Sequence, residues 1–437
     1  MSSSKTSSWR GWPSNWTETL QWLIVGGGIH GVHLAARLIG DGGVDGSQIR
    51  ILDPGPDLLC RWRSLTQVTG MSHLRSPGVH HLDLEPFSLT RFAGSRRHRR
   101  PGLLRAPYDR PALHLFDTHC EQVMERFGLR DLHLRGAAER CEPGPDGVRV
   151  FTSEGRRIEA VRVVLAIGAS GQPAWPDWAP KGERRVQHIF DPGLVWLRPE
   201  ENCLVVGGGI TAVQVALRLV REGRKVHLLT RHPLRVHAFD SDPGWLGPKL
   251  MPKFQREQDL GMRRSIIQQA RHRGSVPPEL SREVKRKAAR GQLELWEIAV
   301  EDLDLQENQV RLVLSDGRSL RGDHLLLATG FDGRRPGGAL VDDLVGDAGL
   351  PCAACGYPEI DSWLRWHPHI HVMGPLAELE LGPVSRNIAG ARRAADRILK
   401  VLHGASARPA ARTSKNSTNG LRGASPSWKA TRTTYHA

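Results

Sequence analysis

Residues 21–38, QWLIVGGGIHGVHLAARL, decide how the rest of the chain is read. Trp22 to Val25 are apolar and partly β-branched, the composition of a short buried strand, and Val32, Ala35, Ala36 and Leu38 then recur at helical spacing. A strand therefore runs through a glycine turn into a helix. Gly26, Gly28 and Gly31 stand in GxGxxG order, which permits a tight turn, close approach of a pyrophosphate to the backbone, and close packing of helix on strand. The free N–H groups at the helix start then face the phosphates. A glycine-rich turn without a nucleotide is the competing reading, and the rest of the chain chooses between them.

The pattern returns about 180 residues later, at 203–223, as CLVVGGGITAVQVALRLVREG. Gly207, Gly209 and Ala212 hold the three fingerprint places, and alanine is allowed in the third. One such turn is weak evidence; two at domain spacing are strong. The strands that follow end differently. Residues 48–53 (QIRILD) end on Asp53, where a carboxylate accepts both ribose hydroxyls of an adenosine and repels a 2′-phosphate. A turn-forming aspartate before Pro54 is the alternative. Residues 225–229 (KVHLL) lead instead into Thr230-Arg231-His232. A guanidinium at that tip pairs with a 2′-phosphate in a charge-assisted fork, with Arg235 and His232 as helpers; a solvated arginine is the alternative. The first site is thus expected to take FAD and the second NADPH.

Between the turns, residues 59–86 show no settled periodicity and read as an irregular segment able to line a flavin ring and a substrate pocket. Trp62, Met71 and Arg75 are its candidates, with buried packing as the other reading of Trp62 and Met71. Arg96, Arg97, Arg99 and Arg100 surround His98 in a basic loop, read as solvated or as a substrate anchor. Residues 112–127 form an amphipathic helix, 147–158 a hairpin, and 161–167 a buried strand entering Gly168. Residues 172–182, with three prolines and two tryptophans, read as a stiff linker.

Composition bounds the rest. A chain of 437 residues suggests two or three domains. Its six cysteines are too sparse for a disulfide framework, which fits a reducing compartment, with the cytoplasm as the expectation. No apolar run reaches the roughly 20 residues of a membrane span. The net charge of +15 owes much to residues 403–437, which carry six basic and no acidic residues in a Ser/Thr/Ala/Gly/Pro background that cannot form a core. No nucleic-acid module accompanies the charge, so nucleic acid is not an expected partner.

Near the C-terminal third, Asp323-His-Leu-Leu-Leu-Ala-Thr-Gly330-Phe331 is followed by Pro336. With the two turns, this segment resembles the flavin-dependent N-hydroxylating monooxygenases, the lysine and ornithine hydroxylases, within the two-dinucleotide flavoprotein superfamily. Residues 371–399, with Gly374 and Asn387, resemble the family's C-terminal flavin segment. The resemblance spans about residues 21–402. Phe331 stands where the family usually has tyrosine, Ile210-Thr211 replace its Gln-Ser pair, and Arg75 stands in for the lysine that contacts the substrate carboxylate. It implies that NADPH reduces FAD, that O2 is activated as a flavin C4a-(hydro)peroxide, and that a small nitrogen- or sulfur-bearing substrate is oxygenated. No protein nucleophile or metal is implied. Asn387 and Ile388 would offer N–H groups to the flavin pyrimidine edge.

The expected architecture is α/β, with two Rossmann-like dinucleotide-binding domains, the FAD domain being discontinuous and the NADPH domain inserted into it. The divisions are a flexible arm (1–20), the FAD domain (21–172 and 323–402), a linker (173–199), the NADPH domain (200–322) and a basic tail (403–437). Two other functions stay open. Cys352 and Cys355 form a CxxC pair that could serve a non-oxygenating FAD/NADPH reductase, and the altered substrate motifs would suit a regulatory flavoprotein without turnover. His367, His369 and His371 would share one face of an extended stretch, where packing and a zinc site are the two readings.

Overall fold

The computed structural model describes residues 19–95, 100–196, 202–307 and 309–402. Most of the basic loop around His98, the arm before residue 19 and the tail after 402 lie outside these residues.

The first unit is built on the strand Leu20–Val25, which past the exposed Gln21 is buried on both faces and so reads as an apolar run from Trp22 to Val25. It lies between the parallel strands Ile49–Asp53 and Arg157–Leu165, with His133–Arg135 beyond the former and Ile370–Val372 beyond the latter. A hairpin arm, Ala138–Pro143 and Val148–Thr152, runs antiparallel into Arg157–Leu165. The helix Ile29–Gly40 buries Val32, Leu34, Ala35, Ala36 and Leu38 on this sheet. At about 25 cal/mol per Å2 of apolar area, such burial is the main force holding helix to sheet.

The second unit repeats the plan with an all-parallel sheet in the order Glu294–Glu297, Val226–Thr230, Cys203–Val206, His324–Leu327, Val186–His188. The helix Ile210–Arg221 covers one face, and the antiparallel strands Val300–Leu305, Val310–Leu314 and Ser319–Gly322 form a separate layer. Two Rossmann-like units with parallel sheets are thus present, the second inserted in the first.

Their boundaries differ from the sequence-based divisions. His324–Leu327 pairs with Cys203–Val206 and so belongs to the second sheet, not to the returning FAD domain. Val186–His188, expected within a linker, is that sheet's edge strand. The chain rejoins the first core only with the helix Gly338–Gly346, whose Leu340, Val341 and Leu344 are buried there. The segment after Leu59 also begins with a helix, Cys60–Thr69, rather than irregular chain. Its sequence has no continuous apolar face, and it is held by packing on the helix Ile210–Arg221.

Arginines bridge the units. Arg218 donates to the carbonyls of Gln67 (3.0 Å) and Val68 (2.8 Å), and Arg75 to those of Ala238 (3.1 Å) and His237 (2.8 Å). Arg61 bonds the carbonyls of Ser170 and Phe190, both at 2.9 Å. Among the described residues, no helix is long and apolar enough to cross a membrane.

Candidate dinucleotide sites and the cleft between them

The first glycine turn is closed by contact. A Cβ at Gly31 would stand 1.9 Å from the carbonyl oxygen of Gly26, and Gly26 itself adopts φ +113°. Gly28 differs: it caps the helix at φ −81°, and a Cβ there would meet nothing within 4 Å. The helix has no side-chain cap and no acid in its first turn, so its N-terminus is open to an anion. Asp53 stands at the adjacent strand tip. Its Oδ2 accepts the Gly27 N–H (2.7 Å) and its Oδ1 the Gly55 N–H (2.8 Å), so the carboxylate both forms the turn at Pro54 and braces the glycine loop. Each oxygen keeps a second lone pair for a ribose hydroxyl.

Gly168 follows the strand Arg157–Leu165 at φ +66°, with open space beside it. Gly374 lies against the first helix, its Cα side facing the ring of His30. Trp62 points elsewhere. Its Nε1 donates to Asp117 Oδ1 (3.1 Å) and its ring packs on Phe116, which fits the packing reading. Asn387 caps the last helix, Ile388–Ile398, but its N–H donates to Val384 O (2.9 Å), because the preceding turn folds under it. That N–H is therefore committed within the chain, contrary to the expectation for Asn387; the expectation for the Ile388 N–H is untouched by this bond. The Asn387 side-chain amide donates to Asp240 Oδ1 (3.2 Å).

The second turn opens onto a cleft of about 940 Å3. A Cβ at Gly207 would meet Ala328 O at 2.4 Å, and Ala212 is fully buried on the strand, so the turn is as tight as the first. Gly209 caps an uncapped helix with no acid in its first turn. Arg231 and Arg235 lie on the rim and, among the described residues, neither has a hydrogen-bond or ion-pair partner. Gly330, at φ +85°, and Phe331 line the floor, and Phe331 stacks on Phe190 at 4.6 Å.

The far wall comes from chain that returns to the first unit. Glu378, buried, is paired with Arg264 and with Arg386 Nε (2.8 Å), and Arg386 also donates to the Tyr357 hydroxyl (2.9 Å). Arg271 faces Asp240 at 3.4 Å, and burial, helped by neighbouring arginines, lowers its pKa to about 10. It still carries its charge at neutral pH. The lining holds seven arginines against three carboxylates, a field suited to a polyanionic ligand. Arg75 also reaches this cleft, but two of its nitrogens are committed to Ala238 O, His237 O and Ser275 Oγ (2.8 Å). None of the Arg264–Glu378–Arg386 cluster was legible in sequence, where no motif marks it.

The residues fit two dinucleotides, and comparisons with known proteins agree. The family model described as FAD-NAD(P)-binding matches residues 23–170, and that described as pyridine nucleotide-disulphide oxidoreductase matches residues 114–268. Comparison with curated proteins finds no match. Among solved structures, the ornithine hydroxylase of Pseudomonas aeruginosa in its reduced form superposes with a TM-score of 0.70 at 18% identity, covering 88% of this chain and 99% of that one. The fold is that of the flavin N-hydroxylases. The ornithine N-hydroxylase of Kutzneria sp. 744, with reduced FAD, NADP+ and L-ornithine, gives 0.69 at 18% identity over 88% and 99% of the two chains. The FAD-bound cadaverine monooxygenase of Erwinia amylovora gives 0.69 at 16% over 93% and 100%. The N-hydroxylase fold is shared more widely: the bacillithiol disulfide reductase of Bacillus cereus gives 0.59 at 16% identity over 88% and 99%.

The other candidate centres are not built as sites. The rings of His367 and His369 lie 5.8 Å apart, but His369 bonds Val161 O (2.7 Å) and Pro145 O (2.9 Å) and His371 is buried beside Trp22, so the three do not meet at one point. Among the described residues no group of three or more His, Cys, Asp or Glu could hold a metal ion. Cys352 and Cys355 are free thiols, and neither lines the cleft.

Proposed function

We propose that the protein is an FAD- and NADPH-dependent monooxygenase that uses O2 to oxygenate a small amine-bearing substrate. The observation that carries this reading is the cleft itself, lined on one side by the second glycine turn and on the other by Glu378 and Arg386, just before the last helix. A dinucleotide bound at Gly207 and Gly209 therefore extends toward the first unit. Gly26, Gly28, Gly31, Asp53 and Gly168 would hold FAD; Arg231 and Arg235 would hold the 2′-phosphate that distinguishes NADPH from NADH. FAD, once reduced, supplies the oxygen-activating chemistry.

The chain's own residues bind and orient. Arg75 keeps one terminal nitrogen free of the bonds to His237, Ala238 and Ser275, and that group can take a substrate anion. Asp240, between Arg271 and Asn387, is the carboxylate placed to take an ammonium. The CxxC pair supports a reductase less well, since Cys352 lies outside the cleft and burial pushes its thiol above the ordinary range, away from the reactive thiolate.

The test is NADPH consumption by purified protein reconstituted with FAD, across a panel of diamines and basic amino acids. Oxidation that requires both O2 and one of these amines is expected. Oxidation indifferent to O2 but coupled to reduction of an added disulfide would replace the reading with a reductase, and protein unable to take up FAD would end both.

A further inference from the structure

Residues 271–275 line the cleft beside the second glycine turn, and their backbone is tied at several points. The His272 N–H donates to Asp240 O (2.7 Å) and the Ser275 N–H to His272 O (3.2 Å). Ser275–Val276 pairs with Arg235–Val236, and Arg75 reaches from the first unit to Ser275 Oγ (2.8 Å). Gly274 lies against the turn itself: a Cβ at Gly209 would stand 3.3 Å from Gly274 Cα. At Gly28, the corresponding place in the first turn, a Cβ would meet nothing within 4 Å. The second helix start is therefore partly covered by the chain's own backbone, and the seat it leaves for phosphates is narrower.

Arg273 is the side chain next to this contact. It lines the cleft, and its guanidinium reaches the loop after Gly330, where a Cβ at Gly333 would stand 3.2 Å from Arg273 Nη2. The groups around it are committed. Arg271 faces Asp240, His272 Nδ1 bonds Phe239 O (3.1 Å), and Arg264 donates to Gly333 O (2.8 Å). Asp332, the acid of that loop, accepts from the N–H (2.9 Å) and Nε (2.7 Å) of Arg334. Arg273 is exposed, and its guanidinium has no hydrogen-bond or ion-pair partner among the described residues. It is thus an unspent cation on a fixed backbone, between the second turn and the loop toward which a dinucleotide held at Gly207 and Gly209 extends.

We propose that Arg273 is a ligand of the NADPH pyrophosphate, supplying the charge and donors that the narrowed helix start lacks. The assignment rests on the NADPH site of the proposed function. The pyrophosphate is chosen over the 2′-phosphate because Arg273 adjoins Gly209 and Gly333, whereas Arg231 and Arg235 follow the strand Val226–Thr230. A contact to the pyrophosphate is common to NADPH and NADH, so Arg273 sets affinity for both and selects neither.

The experiment titrates the FAD-loaded protein with NADP+ and with NAD+, read by quenching of tryptophan fluorescence, for wild type, Arg273→Ala, Arg273→Lys and Arg231→Ala. Flavin content and melting temperature are taken on each. Arg273→Ala is expected to weaken both nucleotides by a similar factor, roughly tenfold, with flavin content and melting unchanged because no internal bond is lost. Arg273→Lys keeps the charge without the fork and is expected to recover part of the affinity. Arg231→Ala is expected to weaken NADP+ alone. Wild-type affinity for both nucleotides in Arg273→Ala, a loss confined to NADP+, or a loss matched by lower melting and flavin content would overturn the assignment. Any of these with Arg231→Ala still selective leaves the NADPH site standing and removes only this ligand. A wild-type protein that binds neither nucleotide removes the functional reading itself and the assignment with it.

Discussion

A Cβ at position 31 would stand 1.9 Å from the carbonyl oxygen of Gly26, whereas a Cβ at position 28, three residues earlier, would touch no protein atom within 4 Å. Two glycines of one motif therefore answer to different demands. Gly31→Ala must displace backbone, and overpacking of this kind costs on the order of 1–3 kcal/mol or more; lower melting temperature and loss of bound flavin are expected together. Gly28→Ala keeps an ordinary φ of −81° and should fold with unchanged melting temperature, yet bind FAD poorly because the methyl occupies the approach of the pyrophosphate. Melting and flavin content measured on both variants check the pair.

Arg231 tests the identity of the second cofactor. Its guanidinium has no partner among the described residues, so its removal disturbs no internal bond. Arg231→Ala should weaken NADPH by roughly tenfold while leaving NADH nearly unchanged, as read by the concentration dependence of flavin reduction. An equal effect on both nucleotides would refute the 2′-phosphate contact.

Glu378 is 1% exposed and paired with two arginines. Glu378→Gln leaves two partly buried cations uncompensated and is expected to cost about 3–5 kcal/mol. Urea denaturation measures it, and a cost below about 1 kcal/mol would show that the arginines find solvent instead.

His371 predicts a pH dependence. Burial lowers its pKa to about 3 from the ordinary 6.5, so it is neutral in the folded chain. Below pH 6.5 the unfolded state binds more protons, and stability falls as pH drops from 6.5 towards 3. His371→Phe should lose less stability than wild type between pH 7 and pH 5, by about 2 kcal/mol. Identical losses from denaturation curves at the two pH values would exclude the buried neutral ring as the cause.

Both glycine turns and the Asp53–Arg231 contrast were readable because each is local: a strand, a turn and a helix in one short stretch, with the next strand's last residue as marker. The membership of His324–Leu327 and Val186–His188 was not readable, because a parallel strand's partner is set by tertiary pairing and not by its own residues. The same holds for the cleft wall. Arg264, Glu378 and Arg386 carry no motif and meet only because the chain re-enters the first unit. The helix Cys60–Thr69 escaped for a related reason, its polar sequence lacking the periodic face that would announce it.

Apart from one bond of Arg75 to Ser275 Oγ, the bridges made by Arg61, Arg75 and Arg218 end on main-chain carbonyls, those of Ser170, Phe190, His237, Ala238, Gln67 and Val68. Any residue supplies a carbonyl, so the acceptor side of these carbonyl bonds tolerates side-chain replacement provided the backbone path is kept. Arg393, which donates to the carbonyls of Trp245 and Leu246, works in the same way, so drift in the side chains that supply these carbonyls can alter what the cleft admits without removing the bridges that join the two units.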